Sequence, residues 1–302
     1  MSSTRAKLFN HLLRILTARR LDPNADPRLL RQRLDRLIER FNRPLRHARA
    51  EPLDVEGIAA EWVVPDTEIP GRFLLYLHGG GYIFCNPRTH RNIVSNMARA
   101  ARTRALVIDY RLAPEHPFPA AVEDALKAYR WLLSQGADPA SIAIAGDSAG
   151  GGLSLALLLA LRDKGEPLPA GAALLSPWTD LAASGWTHVT HARLDPMLGL
   201  DGLLLAARHY LQGTVPTDPL ASPLFGRLEG LPPLAIHVGD REILLDDSLR
   251  LAEKARAAGV AVDLKVWHDL PHVFQAATFL PEARLSLGQL GEFLDARMKA
   301  AP

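Results

Sequence analysis

Ser148 stands in "AIAGDSAGGG", residues 143–152, with Gly146, Gly150, Gly151 and Gly152 around it. A surface turn needs one or two glycines, so four around one serine ask for another reason. The pattern is G-x-S-x-G, it follows an apolar run, and an apolar helical pattern begins at once. Between a strand and a helix this motif has a mechanical meaning. The turn is so tight that the serine adopts an unusual backbone conformation, and only tiny neighbours fit beside it. The hydroxyl is left exposed at the strand's end, facing the positive end of the helix. Such a serine can attack a carbonyl carbon if a base takes its proton and an acid orients the base.

"YLHGGGYIF", residues 76–84, also follows an apolar run. Three consecutive glycines leave bare backbone whose N–H groups can turn toward a developing oxyanion, and losing one such donor costs about 10²–10³ in rate. Gly80, Gly81 and Ala149 are the expected donors. A phosphate cradle fits less well, because no G-x-x-x-x-G-K-[ST] pattern is present. Tyr82, Ile83, Phe84 and Cys85 follow this loop, and Trp178 follows "AALLS" (172–176). Tyr82, Phe84 and Trp178 are expected to line an apolar substrate pocket, with core packing an equally open reading.

Of eleven histidines, His237, His268 and His272 lie well after the serine near late strand patterns. His237 sits inside such a pattern and reads as a core or edge residue. His268 abuts the end of the last strand. His272, in "HDLPHVF", lies on a loop that can fold back over the sheet edge, and it is the expected base. The acid should follow "LAIHVG" (234–239), where Asp240, Glu242, Asp246 and Asp247 all qualify by position. Asp246 and Asp247 look like caps of the next helix. Asp240 and Glu242 remain, and composition does not separate them. His188, His191 and Asp195 could be imagined around a metal, but no supporting motif accompanies them; no metal or organic cofactor is expected.

These residues need a frame. "AEWVV" (60–64), "FLLYL" (73–77), "ALVIDY" (105–110), "IAIAG" (142–146), "AALLS" (172–176), "LAIHVG" (234–239) and "VDLKVW" (262–267) read as strands. Most are short continuous apolar runs, as in a parallel sheet covered on both faces. Helical patterns lie between them at about 91–101, 120–134, 149–163, 246–258 and 282–299. This alternation argues for an α/β sheet with right-handed crossovers. Before it, Asp26 caps a helix opened by Pro27, with Leu30, Leu34, Leu37, Ile38 and Phe41 at helical spacing. Residues 8–16 carry a weaker stripe, and Pro44 and Pro52 end this section. Residues 177–232, rich in proline, are too long for a simple connection and read as an insertion over one sheet edge.

The chain has 302 residues, 48% hydrophobic and 23% charged, with a formal charge of +2. That is globular composition with room for a large core, and a charge too small to point to nucleic acid. The charge is uneven: residues 1–50 hold 13 lysines and arginines against 4 acids, the remainder 22 against 29. The simple reading is a helix with an arginine-rich outer face; docking on anionic membranes is the more elaborate one. Cys85 is the one cysteine, so no intrachain disulfide forms. The first twenty residues are interrupted by Lys7, Asn10, His11 and Arg14, and "LSLALLLAL" (153–161) is too short to span a bilayer. A soluble, cytoplasmic protein is expected.

The sequence resembles the bacterial hormone-sensitive-lipase-like (family IV) esterases of the α/β-hydrolase fold. The resemblance rests on His78-Gly79-Gly80-Gly81, "DYRLAPEHPFPAAVED" (109–124), Gly146-Asp147-Ser148-Ala149-Gly150, "LLSPWTDL" (174–181), "ASPL" (221–224), "VGDREILLDD" (238–247) and "HVF" (272–274). It implies a mostly parallel eight-stranded sheet flanked by helices. Residues 1–50 become N-terminal cap helices, and residues 51–302 a catalytic domain with a cap insertion at about 177–232. The family pattern G-x-x-D-x-L-x-D aligns on Gly239, Leu244 and Asp246 and puts the acid at Glu242, in place of the usual aspartate. The implied activity is hydrolysis of short- to medium-chain acyl esters through an acyl-enzyme, with Ser148, Glu242 and His272 as triad. Alternatives are a lactone hydrolase of the same mechanism, acyl transfer to another alcohol, or a non-catalytic ligand receptor. Relatives often dimerise through the edge strand, here "VDLKVW".

Overall fold

The computed structural model of the chain describes residues 3–17, 26–41, 45 and 47–299. Two helices come first, α1 (Thr4–Thr17) and α2 (Pro27–Phe41). Then follow β1 (Ala48–Val55), β2 (Ile58–Pro65), β3 (Phe73–Leu77), α3 (Pro87–Ala100), β4 (Arg104–Ile108), α4 (Ala120–Ser134), β5 (Ile142–Asp147) and α5 (Ala149–Asp163). The remainder is β6 (Gly171–Leu175), α6 (Thr187–Thr190), α7 (Leu200–Leu211), β7 (Leu234–Gly239), α8 (Leu245–Ala257), β8 (Val262–Trp267) and α9 (Pro281–Asp295).

The eight strands form one sheet in the order β1-β2-β4-β3-β5-β6-β7-β8. β1 and β2 run antiparallel to their neighbours, and all pairs from β4 to β8 are parallel. The register pairs Leu77 with Gly146, Gly146 with Leu174, and Gly239 with Trp267. The loops leaving β3, β5, β6, β7 and β8 therefore start side by side at one sheet edge, where α/β proteins place their sites.

Alternation along the strands splits the core in two. Leu75, Leu77, Ile142 and Ile144 face a cluster shared with α4, α5 and α8. Leu74, Tyr76, Ala143 and Ala145 face another, shared with α3 and α9. α5 is buried from Ala149 to Leu161, as an all-round apolar helix should be. α3 starts at a capping box, with the Asn86 side chain accepting from the N–H groups of Arg88 and Thr89.

Three elements differ from the sequence reading. β1 was not expected, yet it runs from Ala48 with Pro52 inside it, so the sheet begins before residue 51. β1 is an edge strand, where a proline's missing N–H is tolerated. Asp246 and Asp247 do not cap their own helix. Asp246 accepts from the N–H groups of Trp186 and Thr187 at 2.5 and 3.1 Å, and Asp247 from those of Thr179 and Asp180 at 2.7 and 2.9 Å. Both tie α8 to the segment after β6. Leu37, expected on the inner stripe of α2, is 52% exposed; the Phe41 side chain and Pro44 lie outside the described residues. Asp26 does cap α2, accepting from the N–H of Arg28 at 2.9 Å.

α1 and α2 sit on loops of the site edge. Asn10 donates to the Asp269 carbonyl at 2.8 Å. Arg31 donates to the Ile83 and Ala113 carbonyls at 2.7 and 2.6 Å, and Asp35 accepts from the Cys85 N–H at 3.0 Å. Among the described residues, no helix is long and apolar enough to cross a membrane.

Candidate active site

β5 ends at Asp147 and α5 begins at Ala149, so Ser148 alone makes the turn, with φ 53° and ψ −122°. A positive φ is costly for a residue with a Cβ. The surroundings hold it: the Ser148 N–H donates to the Leu175 carbonyl at 2.8 Å, and its carbonyl accepts from Trp178 N–H at 2.9 Å. The flanking glycines are steric necessities. A Cβ on Gly146 would lie 2.3 Å from the Gly150 carbonyl oxygen, and one on Gly150 would lie 2.0 Å from that of Leu77. The elbow and the β3 strand end are therefore in direct backbone contact.

The Ser148 hydroxyl meets His272. Its Oγ lies 2.9 Å from Nε2 of the imidazole, and Nδ1 of the same ring lies 2.6 Å from Oε2 of Glu242. Glu242 is fully buried and His272 4% exposed. The other oxygen of Glu242 accepts from the Gly239 N–H at 2.8 Å and from the Ser176 hydroxyl at 2.7 Å. With Oε2 accepting from Nδ1–H, Nε2 is left to face the serine. Burial disfavours charge on His272, but the charge of Glu242 and its hydrogen bond outweigh this, and the pKa rises above the ordinary 6.5.

Asp240, the other candidate acid, is engaged elsewhere. Its carboxylate lies 2.7 Å from Nδ1 of His268 and accepts from the Asp269 N–H at 2.6 Å. His237 is buried in β7, with Nδ1 2.8 Å from the Ser286 hydroxyl. Of the three late histidines, only His272 reaches the serine.

The glycine loop is fixed by Asp147, the residue before the serine. This buried carboxylate accepts from the Tyr76 hydroxyl at 2.8 Å and the Gly79 N–H at 3.1 Å, and lies 3.3 Å from Nε2 of His90. Burial alone would raise its pKa; the charge and hydrogen bond of His90 overcome it and lower the value. A Cβ on Gly79 would sit 2.2 Å from the Asp147 carboxylate. Gly80 and Gly81 follow with φ of 114° and 62°. Among the described residues, the N–H groups of Gly80, Gly81 and Ala149 donate to no backbone carbonyl. His78 is a strut: burial takes its pKa down to about 3, Nδ1–H donates to the Gly79 carbonyl at 2.8 Å, and its ring stacks on Tyr110 at 4.2 Å.

The expected pocket residues lie deeper than their sequence position suggested. Tyr82 and Trp178 are each 1% exposed. Tyr82 stacks on Tyr210 of α7 with centroids 3.8 Å apart, and the Trp178 indole donates to the Asp180 carbonyl at 3.2 Å. Phe84 is half-buried. Two of the imagined metal ligands have other work: Asp195 accepts from the N–H groups of Ile243, Met197 and Leu198, and Nδ1 of His191 lies 2.9 Å from the Thr190 hydroxyl. His188 is buried with neither ring nitrogen hydrogen-bonded, and among the described residues no three ligating side chains gather around it.

Two residues have roles that the sequence reading did not give them. Ser176 is fully buried with φ 46°; it donates to Glu242 and accepts from the Val273 N–H at 3.2 Å, linking the acid to the histidine loop. Asp195 fixes Ile243, the residue after the acid, at 2.9 Å. Ser176 was legible only as part of "LLSPWTDL" at the end of a strand, and Asp195 only as a residue near His188 and His191.

A serine on a strand–helix elbow, a buried imidazole–carboxylate pair and a glycine loop on one parallel-sheet edge define an α/β hydrolase. The family model described as alpha/beta hydrolase fold matches residues 74–276. An acetyl-hydrolase of Streptomyces hygroscopicus is 48% identical over 236 residues, covering 78% of this chain and 79% of its own length. An esterase of Acinetobacter venetianus is 36% identical over 273 residues, covering 89% of each chain. A solved esterase of the bacterial hormone-sensitive lipase family superposes with a TM-score of 0.92 at 44% identity, covering 99% of this chain and 100% of its own. EstE5, whose crystals were soaked with p-nitrophenyl butyrate, gives 0.91 at 42% identity over 98% of this chain and 99% of its own. The chain belongs to the hormone-sensitive-lipase-like esterases of the α/β-hydrolase fold, and it is a carboxylic-ester hydrolase.

Proposed function

We propose that Ser148, His272 and Glu242 carry out this hydrolysis in two acyl-transfer steps, with Gly80, Gly81 and Ala149 as the oxyanion hole. The observation that carries the reading is the hydrogen-bonded line from Ser148 Oγ through His272 to Glu242, at 2.9 and 2.6 Å. Nε2 of His272 takes the serine proton as Oγ attacks the ester carbonyl carbon. Glu242 keeps the ring in the right tautomer and stabilises the imidazolium. The carbonyl oxygen, now negative, accepts from the N–H groups of Gly80, Gly81 and Ala149. Collapse of the tetrahedral species expels the alcohol, which takes its proton from Nε2–H. Water, deprotonated by the same nitrogen, then releases the acid and restores Ser148.

α1, α2 and the segment 177–232 act as the cap over this edge. The acyl group is short to medium. The support is the packing of Tyr82, Trp178 and Tyr210, which fills the space beside the glycine loop and leaves Phe84 to contact substrate. β8 ends the sheet as an open edge, and pairing of two such edges would give a homodimer.

The test is hydrolysis of p-nitrophenyl esters of increasing chain length. Wild type should turn over acetate to hexanoate best, and Ser148→Ala and His272→Ala should lose about 10⁴-fold or more in kcat. A wild type without turnover would leave the receptor reading. A preference for long chains would remove the chain-length assignment. A higher kcat/KM on lactones than on any linear ester would favour the lactone hydrolase.

A further inference from the structure

We propose that the outward faces of α1 and α2 form a docking surface for anionic lipid bilayers. The inner faces of these helices rest on the body of the protein. The outer faces also carry leucines: Leu8 is 60% exposed, Leu12 48%, Leu29 56% and Leu37 52%. Lone exposed leucines are ordinary on a protein surface. These are interleaved with cations. Arg5 and Lys7 are exposed on α1, and Arg33, Arg36 and Arg40 on α2, while Arg14 donates to the Arg193 and Leu194 carbonyls and Arg28 meets Glu115.

Among the described residues, carboxylates on these faces are confined to the start of α2, where Asp26 caps the helix and Glu115 reaches Arg28. α1 contains no acid, and the two acids of α2 turn inward: Asp35 accepts from Cys85 N–H, and both Asp35 and Glu39 accept from the Asn86 amide. Glu115 pairs with Arg28 and Arg31 at 3.5 and 2.9 Å. Among the described residues, Arg5, Lys7, Arg33, Arg36 and Arg40 form no ion pair. The remainder of the chain is net acidic, so this cationic face is not the protein's general surface.

Leucines between arginines on a surface helix suit an anionic interface, where the apolar groups enter the headgroup boundary and the cations meet lipid phosphates. Each basic residue near such a surface strengthens binding about fivefold. The position adds to the case. α1 stands on the loop after β8, and α2 on the loops after β3 and β4, so both flank the edge that carries Ser148 and His272. Docking would bring the ester-hydrolysing site to a surface in which apolar esters dissolve.

The test is co-sedimentation of the full chain with vesicles of phosphatidylcholine, with and without phosphatidylglycerol. The expected result is binding to the anionic vesicles at low salt, weakened tenfold or more when salt is raised to about 0.5 M, where screening shortens the reach of charge. Arg33→Glu/Arg36→Glu should lose tenfold or more, and Leu29→Ser/Leu37→Ser severalfold. Both pairs should hydrolyse soluble p-nitrophenyl butyrate as wild type does, which reports that they fold. The proposal is overturned if wild type stays in solution with anionic vesicles, or if either folded pair binds as well as wild type. It is equally overturned if a soluble polyanion such as heparin is bound and the vesicles are not.

Discussion

Glu242 and Asp240 are two residues apart, yet their carboxylates have different work. Glu242 has three donors, from Gly239, Ser176 and His272, and no contact with water. Asp240 holds the exposed His268 and the start of its loop. Glu242→Ala should therefore cost about 10²–10⁴ in kcat, whereas Asp240→Ala should stay within about tenfold. Steady-state kinetics on p-nitrophenyl butyrate checks both, and the reverse ranking would move the acid to Asp240. The same pair sets the pH profile. The proposed base, His272, can take a proton only when neutral, and its pKa is raised by Glu242 against the opposing effect of burial. The imidazole thus stays protonated to higher pH than an ordinary histidine, and the acid limb of kcat/KM should lie above pH 6.5. A limb below that value would show the Glu242 contact to be weak in solution. Ser176→Ala removes one donor to a buried carboxylate, worth about 1.5–3 kcal/mol, so kcat should fall about 10–100-fold with KM little changed.

The strand–turn–helix at Ser148 explains why parts of the site were legible in the sequence. A Cβ on Gly146 or Gly150 would meet backbone at 2.3 or 2.0 Å, a constraint that has to appear as glycine and therefore as a motif. The glycine loop after β3 is legible for the same reason, since Gly80 needs φ 114° and its Cβ would meet the Phe84 carbonyl at 2.2 Å. The acid has no such local signature. Its choice depends on which carboxylate the loop before α8 turns inward, and Glu242 fills that place with a longer side chain than the usual aspartate. β1 was missed because "ARAEPLDV" mixes charges and a proline on an edge that needs little apolar surface. Two alanine substitutions test how far backbone contact governs these elements. Gly150→Ala should destabilise by about 2–4 kcal/mol, because its neighbours are main chain and cannot move aside. Gly288→Ala, inside α9 with nothing within 4 Å of its Cβ position, should be neutral or stabilise by about 0.5–1 kcal/mol. Thermal melts of the two variants measure the contrast.

At the scale of the whole molecule, one buried group contributes a pH effect on stability whose sign is defined. Asp247 joins α8 to the segment after β6; burial first, then the charge of Asp180, pushes its pKa from 3.8 up to about 8. The unfolded chain ionises this carboxyl from about pH 4, while the folded chain keeps it protonated until about pH 8. Through that window the contribution of Asp247 to stability falls with each rise in pH, and its loss is complete above it. Asp247→Asn keeps an acceptor for the Thr179 and Asp180 N–H groups without the charge, so its melting temperature should exceed that of wild type at pH 8 and not at pH 4. An equal change at both pH values would show that Asp247 is ionised in the folded protein. The proposed turnover rests on a different assembly, in which five loops on one sheet edge bring the Ser148 hydroxyl, the His272 ring and the glycine loop together. Mass spectrometry of the protein quenched during p-nitrophenyl butyrate hydrolysis tests that assembly most directly. The peptide containing Ser148 should carry one butyryl group, and Ser148→Ala should carry none and lose turnover. A butyryl group on another residue, or a Ser148→Ala variant with undiminished turnover, would contradict it.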